Sequence, residues 1–148
     1  MSRVELNADL GEGFDDETLL PHIARASIAC GGHAGDATSM RVALARCLAF
    51  AVAAGAHPSY PDRTGFGRRA LDLAPAAIAD EVAAQVAALV AVASELRIPI
   101  LHVKPHGALY LRACRDPGVA AAIVDGVATV DRRLALLGPP DSELLAAA

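Results

Sequence analysis

The chain has 148 residues, a formal net charge of −4, and a composition that is 54% hydrophobic and 20% charged. This length predicts a single domain over residues 1–148, with enough apolar side chains to bury a core. Aromatic residues make up only 3% of the chain and its basic residues form no stripe, which argues against a nucleic-acid partner.

The cysteines and the longest apolar stretch narrow the class of protein further. Cys30, Cys47 and Cys114 are odd in number and lack metal-binding spacing, which favours reduced thiols in the cytoplasm. The longest nearly charge-free stretch, 82–94, is shorter than the ~18 apolar residues of a membrane span. We therefore expect small-molecule chemistry in the cytoplasm, without a membrane partner.

Strand-like and helix-like segments alternate along the chain. Four apolar runs, each ending in a polar cluster, cover 4–13, 27–36, 50–62 and 100–110. Within the last three runs and beyond them, strands are predicted at 27–31, 50–57, 98–103 and 134–138. Helical spacing predicts helices over 38–50, from 75 to about 97 and over 117–130, with shorter ones at 17–23 and 142–148. The loop over 58–73 is rich in Pro, Gly and Arg, and such long loops are often functional.

This alternation predicts an α/β fold with a parallel sheet and right-handed crossovers. A closed eight-stranded barrel needs roughly 200–250 residues, so five strands predict a small open sheet or an incomplete parallel (β/α) barrel. The carboxyl ends of parallel strands lie at one edge, so the four polar clusters should meet there. Four of the five histidines lie in or beside these clusters, namely His33, His57, His102 and His106. This convergence predicts an active site.

The first cluster contains Asn7, Asp9 and Glu12 around a turn with Gly11 and Gly13. Strand alternation places Asn7 and Asp9 on the same face. Two neighbouring carboxylates can divide the roles of acid and base, or hold a cation. The alternative is a polar turn with a capping aspartate.

The second and third clusters each place a histidine at the end of a strand. His33 lies among three glycines that allow close approach of a ligand, or form a tight turn before Asp36 caps a helix. His57 begins a stiff segment with two prolines. Further on, Arg68 and Arg69 either bind a carboxylate or phosphate or form a solvated rim.

The fourth cluster carries a row of basic side chains. His102, Lys104 and His106 share one parity along the predicted strand, so one face would be basic three times. Burying three basic side chains on one face requires an anionic ligand, carboxylate neighbours or a metal ion.

Four motifs resemble, in order and spacing, the signatures of one known family. LNADLGEGF, IACGGHAGD, GAHPSYPDRTGFGRR and HVKPHGALY are similar to those of the LamB/YcsF family, the A subunit of the bacterial 5-oxoprolinase. The resemblance implies a (β/α) barrel of the type found in polysaccharide deacetylases. It also implies ATP-dependent opening of 5-oxo-L-proline to L-glutamate, together with subunits B and C.

The family's polar signature positions correspond to Asn7, Asp9, Glu12, His33, Asp36, His57, Lys104 and His106. As catalytic residues we predict Asp9, Glu12, His33, His57, Lys104 and His106, and as substrate-binding residues Asn7, Asp36, Arg68 and Arg69. Asp9 or Glu12 would activate water, His33 or His57 would share protons, and Lys104 with His106 would stabilise negative charge. ATP is the expected co-substrate; no GxxxxGK loop marks its site, and a metal requirement stays open.

The chain departs from the family in three ways. Family members are longer, so the resemblance implies that the last third or more is missing here, and either this is a fragment or another copy or chain completes the barrel. Gly32 stands where a bulky aromatic residue is expected, and Ala8 where a cysteine is usual.

Two other functions fit the same residues. One is a metal-dependent deacetylase or amidohydrolase, with Asp9, His33 and His57 as ligands around an open coordination position. The other is an inactive fragment that retains only a role in subunit interaction, through its exposed strand edge.

Overall fold

The computed structural model describes residues 4–148. Its five strands are β1 (Asn7–Leu10), β2 (Arg25–Ala29), β3 (Ala53–His57), β4 (Ile100–Val103) and β5 (Ala135–Leu136). Its five α-helices are α1 (Ala37–Ala49), α2 (Pro75–Glu95), α3 (Gly107–Ala113), α4 (Pro117–Val130) and α5 (Glu143–Ala147). The strands form one parallel sheet in the order β1-β2-β3-β4-β5. The predicted α/β fold with a five-stranded parallel sheet is confirmed.

The three longer predicted helices correspond to α1, α2 and α4, with ends shifted by no more than about two residues. Asp36 caps α1 by accepting from the N–H of Ser39, and Asp116 caps α4. Both caps satisfy N–H groups that a helix leaves without internal partners.

Three local predictions differ from the structure. The segment 17–23 forms only a 3-10 turn over Leu20–His22, because the N–H groups of Ala24 and Arg25 both donate to the Leu6 carbonyl and commit the chain to the sheet. The third strand begins later than position 50, since the Phe50 N–H still closes the last turn of α1. The short helix α3, which follows directly after β4, is not predicted by the sequence pattern.

The two faces of the sheet have opposite character. One face is apolar and packs against α1, α2 and α4, with Leu10, Ala26, Ile28, Ala54 and Val103 in the core. The other face carries Asn7, Asp9, Ser27, His57 and His102. Because strand side chains alternate between faces, this arrangement confirms that Asn7 and Asp9 share one face.

The helix α2 is long and apolar enough, by length and composition alone, to cross a membrane. A single helix of this kind is weak evidence for a span, because core helices pass the same test. Ile78, Val82, Val86 and Leu89 are buried at three-to-four-residue spacing and belong to the core that includes the sheet. The helix therefore serves as a core helix in this fold.

The packing of α2 against α4 depends on a glycine. A Cβ atom at Gly126 would lie 2.5 Å from the carbonyl oxygen of Ala79 and 3.0 Å from the Cβ of Val82. The contact with the Ala79 backbone oxygen is closer than real Cβ atoms come, and the contact with Val82 is tighter than most. The absence of a side chain at this position sets the separation of the two helices.

We expect Gly126→Ala to lower the free energy of unfolding by about 1–3 kcal/mol, the cost typical of overpacking, measured by urea denaturation. Helix propensity alone would favour alanine by about 1 kcal/mol, so a loss would isolate the packing cost. Gly118→Ala is the matched control, because its Cβ would meet only the Asp116 carboxylate at 3.3 Å. Equal stability of the two variants would contradict this account.

Candidate active site

All six predicted catalytic residues lie at the carboxyl edge of the sheet. They come from the end of β1, the turn after it, and the segments that end or follow β2, β3 and β4: Asp9, Glu12, His33, His57, Lys104 and His106. A cleft of about 380 Å³ opens beside them and is lined in part by Glu12, His33 and Phe66. The predicted convergence of polar clusters is therefore present.

Asp9 and Lys104 form an ion pair at this edge. The Lys104 Nζ lies 2.5 Å from one carboxylate oxygen of Asp9, and the His57 Nε2 lies 3.2 Å from the other. Burial acts to raise the pKa of Asp9, but the hydrogen bonds and charges of His57 and Lys104 outweigh it and hold that pKa well below its usual range. Asp9 thus stays ionised at neutral pH, and Lys104 finds the carboxylate neighbour that its burial requires.

Three imidazoles pack around one carboxylate; we call His33, His57 and His106 with Glu12 the histidine cluster. The Glu12 Oε1 lies 2.7 Å from the His33 Nε2, 3.7 Å from the His57 Nε2 and 3.6 Å from the His106 Nδ1. The rings of His33 and His106 stack with centroids 3.7 Å apart. Burial raises the pKa of Glu12, but the hydrogen bond and charge of His33 reverse the effect and lower it.

Two backbone carbonyls orient the imidazoles of the cluster. The His57 Nδ1 lies 2.6 Å from the Lys104 carbonyl oxygen, and the His106 Nε2 lies 2.9 Å from that of Phe66. Burial lowers the pKa of His106 to about 4, so its ring is neutral at pH 7. The Phe66 carbonyl is a contribution that the sequence analysis missed; the flanking glycines of Gly-Phe-Gly are its only signal.

The loop over 58–73 reaches the cluster because it approaches the start of α3 closely. A Cβ atom at Gly107, whose φ is +57°, would lie 2.5 Å from the Gly67 carbonyl oxygen. The Ala108 N–H donates to that same oxygen at 2.9 Å. This contact holds the Phe66 carbonyl within reach of His106.

The four groups of the histidine cluster could hold a metal ion, since each offers a ligand atom and these atoms lie within 4.8 Å of one another. This set differs from the ligand set considered for a deacetylase, which was Asp9, His33 and His57. In the structure, Asp9 is paired with Lys104, and Glu12 with His106 completes the group around the other two histidines.

The predicted substrate-binding residues have varied surroundings. Asp36 caps α1 and also lines the cleft, so its substrate contact stays a prediction. Arg69 donates from Nε to both carboxylate oxygens of Asp62 at 3.1 Å and lowers the pKa of Asp62 to about 2. Its guanidinium therefore stabilises the loop, and its substrate contact stays a prediction. Arg68 lies over the Phe66 ring, 5.5 Å from its centroid, and its role stays a prediction.

Sequence comparison matches the chain to one family, described as the LamB/YcsF family, over residues 4–148. The chain belongs to the LamB/YcsF family. It is 50% identical, over 98% of its length, to a protein from Chloroflexus aggregans that is named as the A subunit of 5-oxoprolinase. A protein of the same name from Streptomyces avermitilis is 49% identical over 96% of the chain. The chain spans about 60% of the length of these relatives.

A solved structure of a LamB/YcsF-like protein has the same fold. The crystal structure of the lactam utilization protein from Thermus thermophilus superposes with a TM-score of 0.96 at 40% identity. The match covers 99% of this chain and 62% of that chain.

Gly32, where the resemblance implies a bulky aromatic residue, is closely surrounded in the structure. A Cβ atom there would lie 2.5 Å from both the Ser59 Oγ and the Gln85 Oε1. Gln85 bonds the backbone of Ser59 through both its amide atoms. Next to this network, burial raises the pKa of the Cys30 thiol to about 12, which agrees with its interpretation as a buried residue.

The basic row of the fourth LamB/YcsF motif divides among three separate environments. Lys104 pairs with Asp9, His106 joins the histidine cluster, and His102 lies deeper, with its Nε2 3.3 Å from the Asn7 Nδ2. Asn7 also accepts from Ser27, which places this predicted substrate-binding residue below the ion pair. His102, Lys104 and His106 nevertheless lie on one side of the sheet, as their shared parity predicts, because the ladder continues past Val103 through the Lys104 N–H to Ala56 and the His106 N–H to Pro58.

We expect His102→Gln to reduce the acid sensitivity of folding. Burial lowers the pKa of His102 from 6.5 to about 4. Between these pH values, His102 is protonated in the unfolded chain and neutral in the folded chain. His102 therefore lowers stability as the pH falls from 6.5 to 4, by up to about 3 kcal/mol. The measurement is urea denaturation at pH 7, 5.5 and 4.5.

The matched control is His22→Gln, which removes an exposed histidine and should leave the pH dependence as in the wild type. Carboxylates and His106 account for the rest of the pH dependence of stability, and they are present in all three proteins. If His102→Gln and the wild type lose the same stability on acidification, the account of His102 is wrong.

Proposed function

We propose that this chain acts as the A subunit of an ATP-dependent 5-oxoprolinase, which hydrolyses 5-oxo-L-proline to L-glutamate as ATP becomes ADP and phosphate. The observation that carries the proposal is the Asp9–Lys104 ion pair beside the histidine cluster, built from all four family motifs. Relatives named as the A subunit of 5-oxoprolinase support it at 47–50% identity over nearly the whole chain.

The chemistry of the substrate explains the need for ATP. A γ-lactam is an unstrained amide that water attacks slowly. Transfer of the γ-phosphoryl group to the lactam oxygen, with loss of the lactam N–H proton, creates an imidate phosphate and releases ADP. Water adds to its carbon, the C–N bond breaks to give an acyl phosphate, and a second water releases L-glutamate and phosphate.

Asp9 and Lys104 are positioned to assist the addition of water to the phosphorylated lactam. We assign water activation to Asp9 rather than Glu12, because 34% of the Asp9 side chain is exposed and only 11% of Glu12. The Lys104 ammonium, 25% exposed, would stabilise the negative charge that develops on the substrate oxygen or phosphate. His33 and His57 would share protons behind this pair.

The proposal extends to the whole assembly. The strands pair with their sequence neighbours in parallel, as in a (β/α) barrel, so we propose that the chain is a single partial barrel domain of the deacetylase-like type. An apolar groove of about 220 Å³ beside β5, lined by Val127, Leu134 and Leu136, offers a place for further structure. Subunits B and C are the proposed partners, a second copy of the chain is a further one, and the cytoplasm is the proposed location.

Two other functions retain specific support. A metal-dependent deacetylase or amidohydrolase is favoured by the metal-binding geometry of the histidine cluster, and it would open an amide without ATP. A role restricted to subunit interaction is favoured by the groove beside β5, and it predicts co-purification with partner subunits without turnover.

We expect Lys104→Ala and Asp9→Asn to lower kcat/KM of the assembled complex by about 100-fold or more, the loss typical of a removed charge-stabilising donor. The assay combines the chain with subunits B and C, ATP and 5-oxo-L-proline, and follows L-glutamate and ADP together. Arg41→Ala is the control, since Arg41 pairs with Glu95 on the surface, away from the site.

Near-normal turnover in both site variants would refute these assignments. Glutamate release without ATP would favour the amidohydrolase, and assembly without turnover of the unaltered chain would favour the interaction role.

A further inference from the structure

The hydrogen bonds of two histidines determine where their ring protons lie. A carbonyl oxygen only accepts, so the Nδ1 of His57, 2.6 Å from the Lys104 oxygen, carries a proton. The Nε2 of His106, 2.9 Å from the Phe66 oxygen, carries its proton for the same reason. Without a further proton or cation between them, the His57 Nε2 and the His106 Nδ1 would both present lone pairs.

These lone pairs face one another and two carboxylates. The His57 Nε2 lies 3.0 Å from the His106 Nδ1, 3.2 Å from the Asp9 Oδ2 and 3.7 Å from the Glu12 Oε1. Electron-rich atoms at such distances repel, and burial removes the water that would screen them. The arrangement is stable only with a positive centre among these atoms.

A metal ion satisfies this geometry better than a proton does. A proton bridges two atoms, whereas four side chains converge here within 4.8 Å. Bonds of 2.0–2.2 Å to one ion place tetrahedral ligand atoms about 3.3–3.6 Å apart. The separations within the cluster run from 2.7 Å to at most 4.8 Å and bracket that range.

We propose that Glu12, His33, His57 and His106 form a binding site for a divalent transition-metal ion of the zinc class. Imidazole nitrogens suit Zn²⁺ and its neighbours, whereas Mg²⁺ and Ca²⁺ prefer sites made of oxygen. The carbonyl anchors of His57 and His106 are the partners that metal-bound imidazoles typically have. His33, completely buried, is held by its stacking on His106.

The site differs from the deacetylase ligand set because Glu12 and His106 replace Asp9. It lies directly beside the Asp9–Lys104 pair, where a Lewis acid would polarise a carbonyl oxygen or a water molecule. A bound ion would occupy the His33 and His57 nitrogens, so the proton-sharing role proposed above belongs to the metal-free site. Metal binding is measured directly and does not depend on lactam opening, so either proposal can fail without the other.

The test uses the tag-free chain, first as purified for elemental analysis and then stripped with a chelator. Titration with Zn²⁺ should show one ion bound per chain, and Co²⁺ should give the strong visible absorption of a four-coordinate ion. His57→Gln and His33→Gln should weaken binding by more than about 100-fold, beyond the loss caused by an outer-shell partner. His22→Gln removes an exposed histidine and is the matched control.

Thermal unfolding keeps the test valid if one variant folds poorly. Saturating Zn²⁺ should raise the Tm of the wild type and of His22→Gln, because a ligand that binds only the folded chain stabilises it. It should not raise the Tm of the folded cluster variant. A wild-type chain that binds no stoichiometric ion, or cluster variants that bind as tightly as His22→Gln, would overturn the site and assign the positive centre to a proton shared by His57 and His106.

Discussion

Parallel pairing of strands in chain order is the constraint on which the site depends. Each of β1 to β4 ends at the same edge, and the ladder continues beyond β4 through the Lys104 N–H, which donates to the Ala56 carbonyl. Asp9 and Lys104, which lie 95 positions apart in the chain, meet there. Asp9 and His57 lie within strands and Lys104 directly follows one, so the sheet itself positions these three side chains.

The interior of the site is a balance of buried charges and not an apolar pocket. Burial alone would neutralise Asp9 and Glu12, yet the pKa of each is lowered, because cationic or hydrogen-bonding neighbours outweigh desolvation. The loop over 58–73 contributes to this balance through backbone groups, held in place by the pair of Asp62 and Arg69. The Asp62–Arg69 ion pair therefore supports the candidate site from the loop, while the Asp9–Lys104 ion pair lies within the site.

Much of this arrangement was accessible from the sequence because side-chain type and spacing encode it. Periodicity located α2 and α4, and polar residues after apolar runs located the catalytic edge. Backbone acceptors leave no such signature, so the Phe66 carbonyl was missed. The role of Arg69 depended on a partner that spacing alone did not single out. Strand parity placed His102, Lys104 and His106 on one side of the sheet, but spacing could not show that they meet different partners there, namely Asn7, Asp9 and His57.

Lys104 contributes to the site twice, through chemically independent groups. Its ammonium forms an ion pair with the ionised Asp9 carboxylate, while its carbonyl oxygen orients the imidazole of His57. Replacing the side chain removes the first contribution and leaves the second, since every residue type supplies a main-chain oxygen. Electrostatics and alignment at this position are thus separable, so evolution or design could retune the charge next to Asp9 without rotating the neighbouring ring.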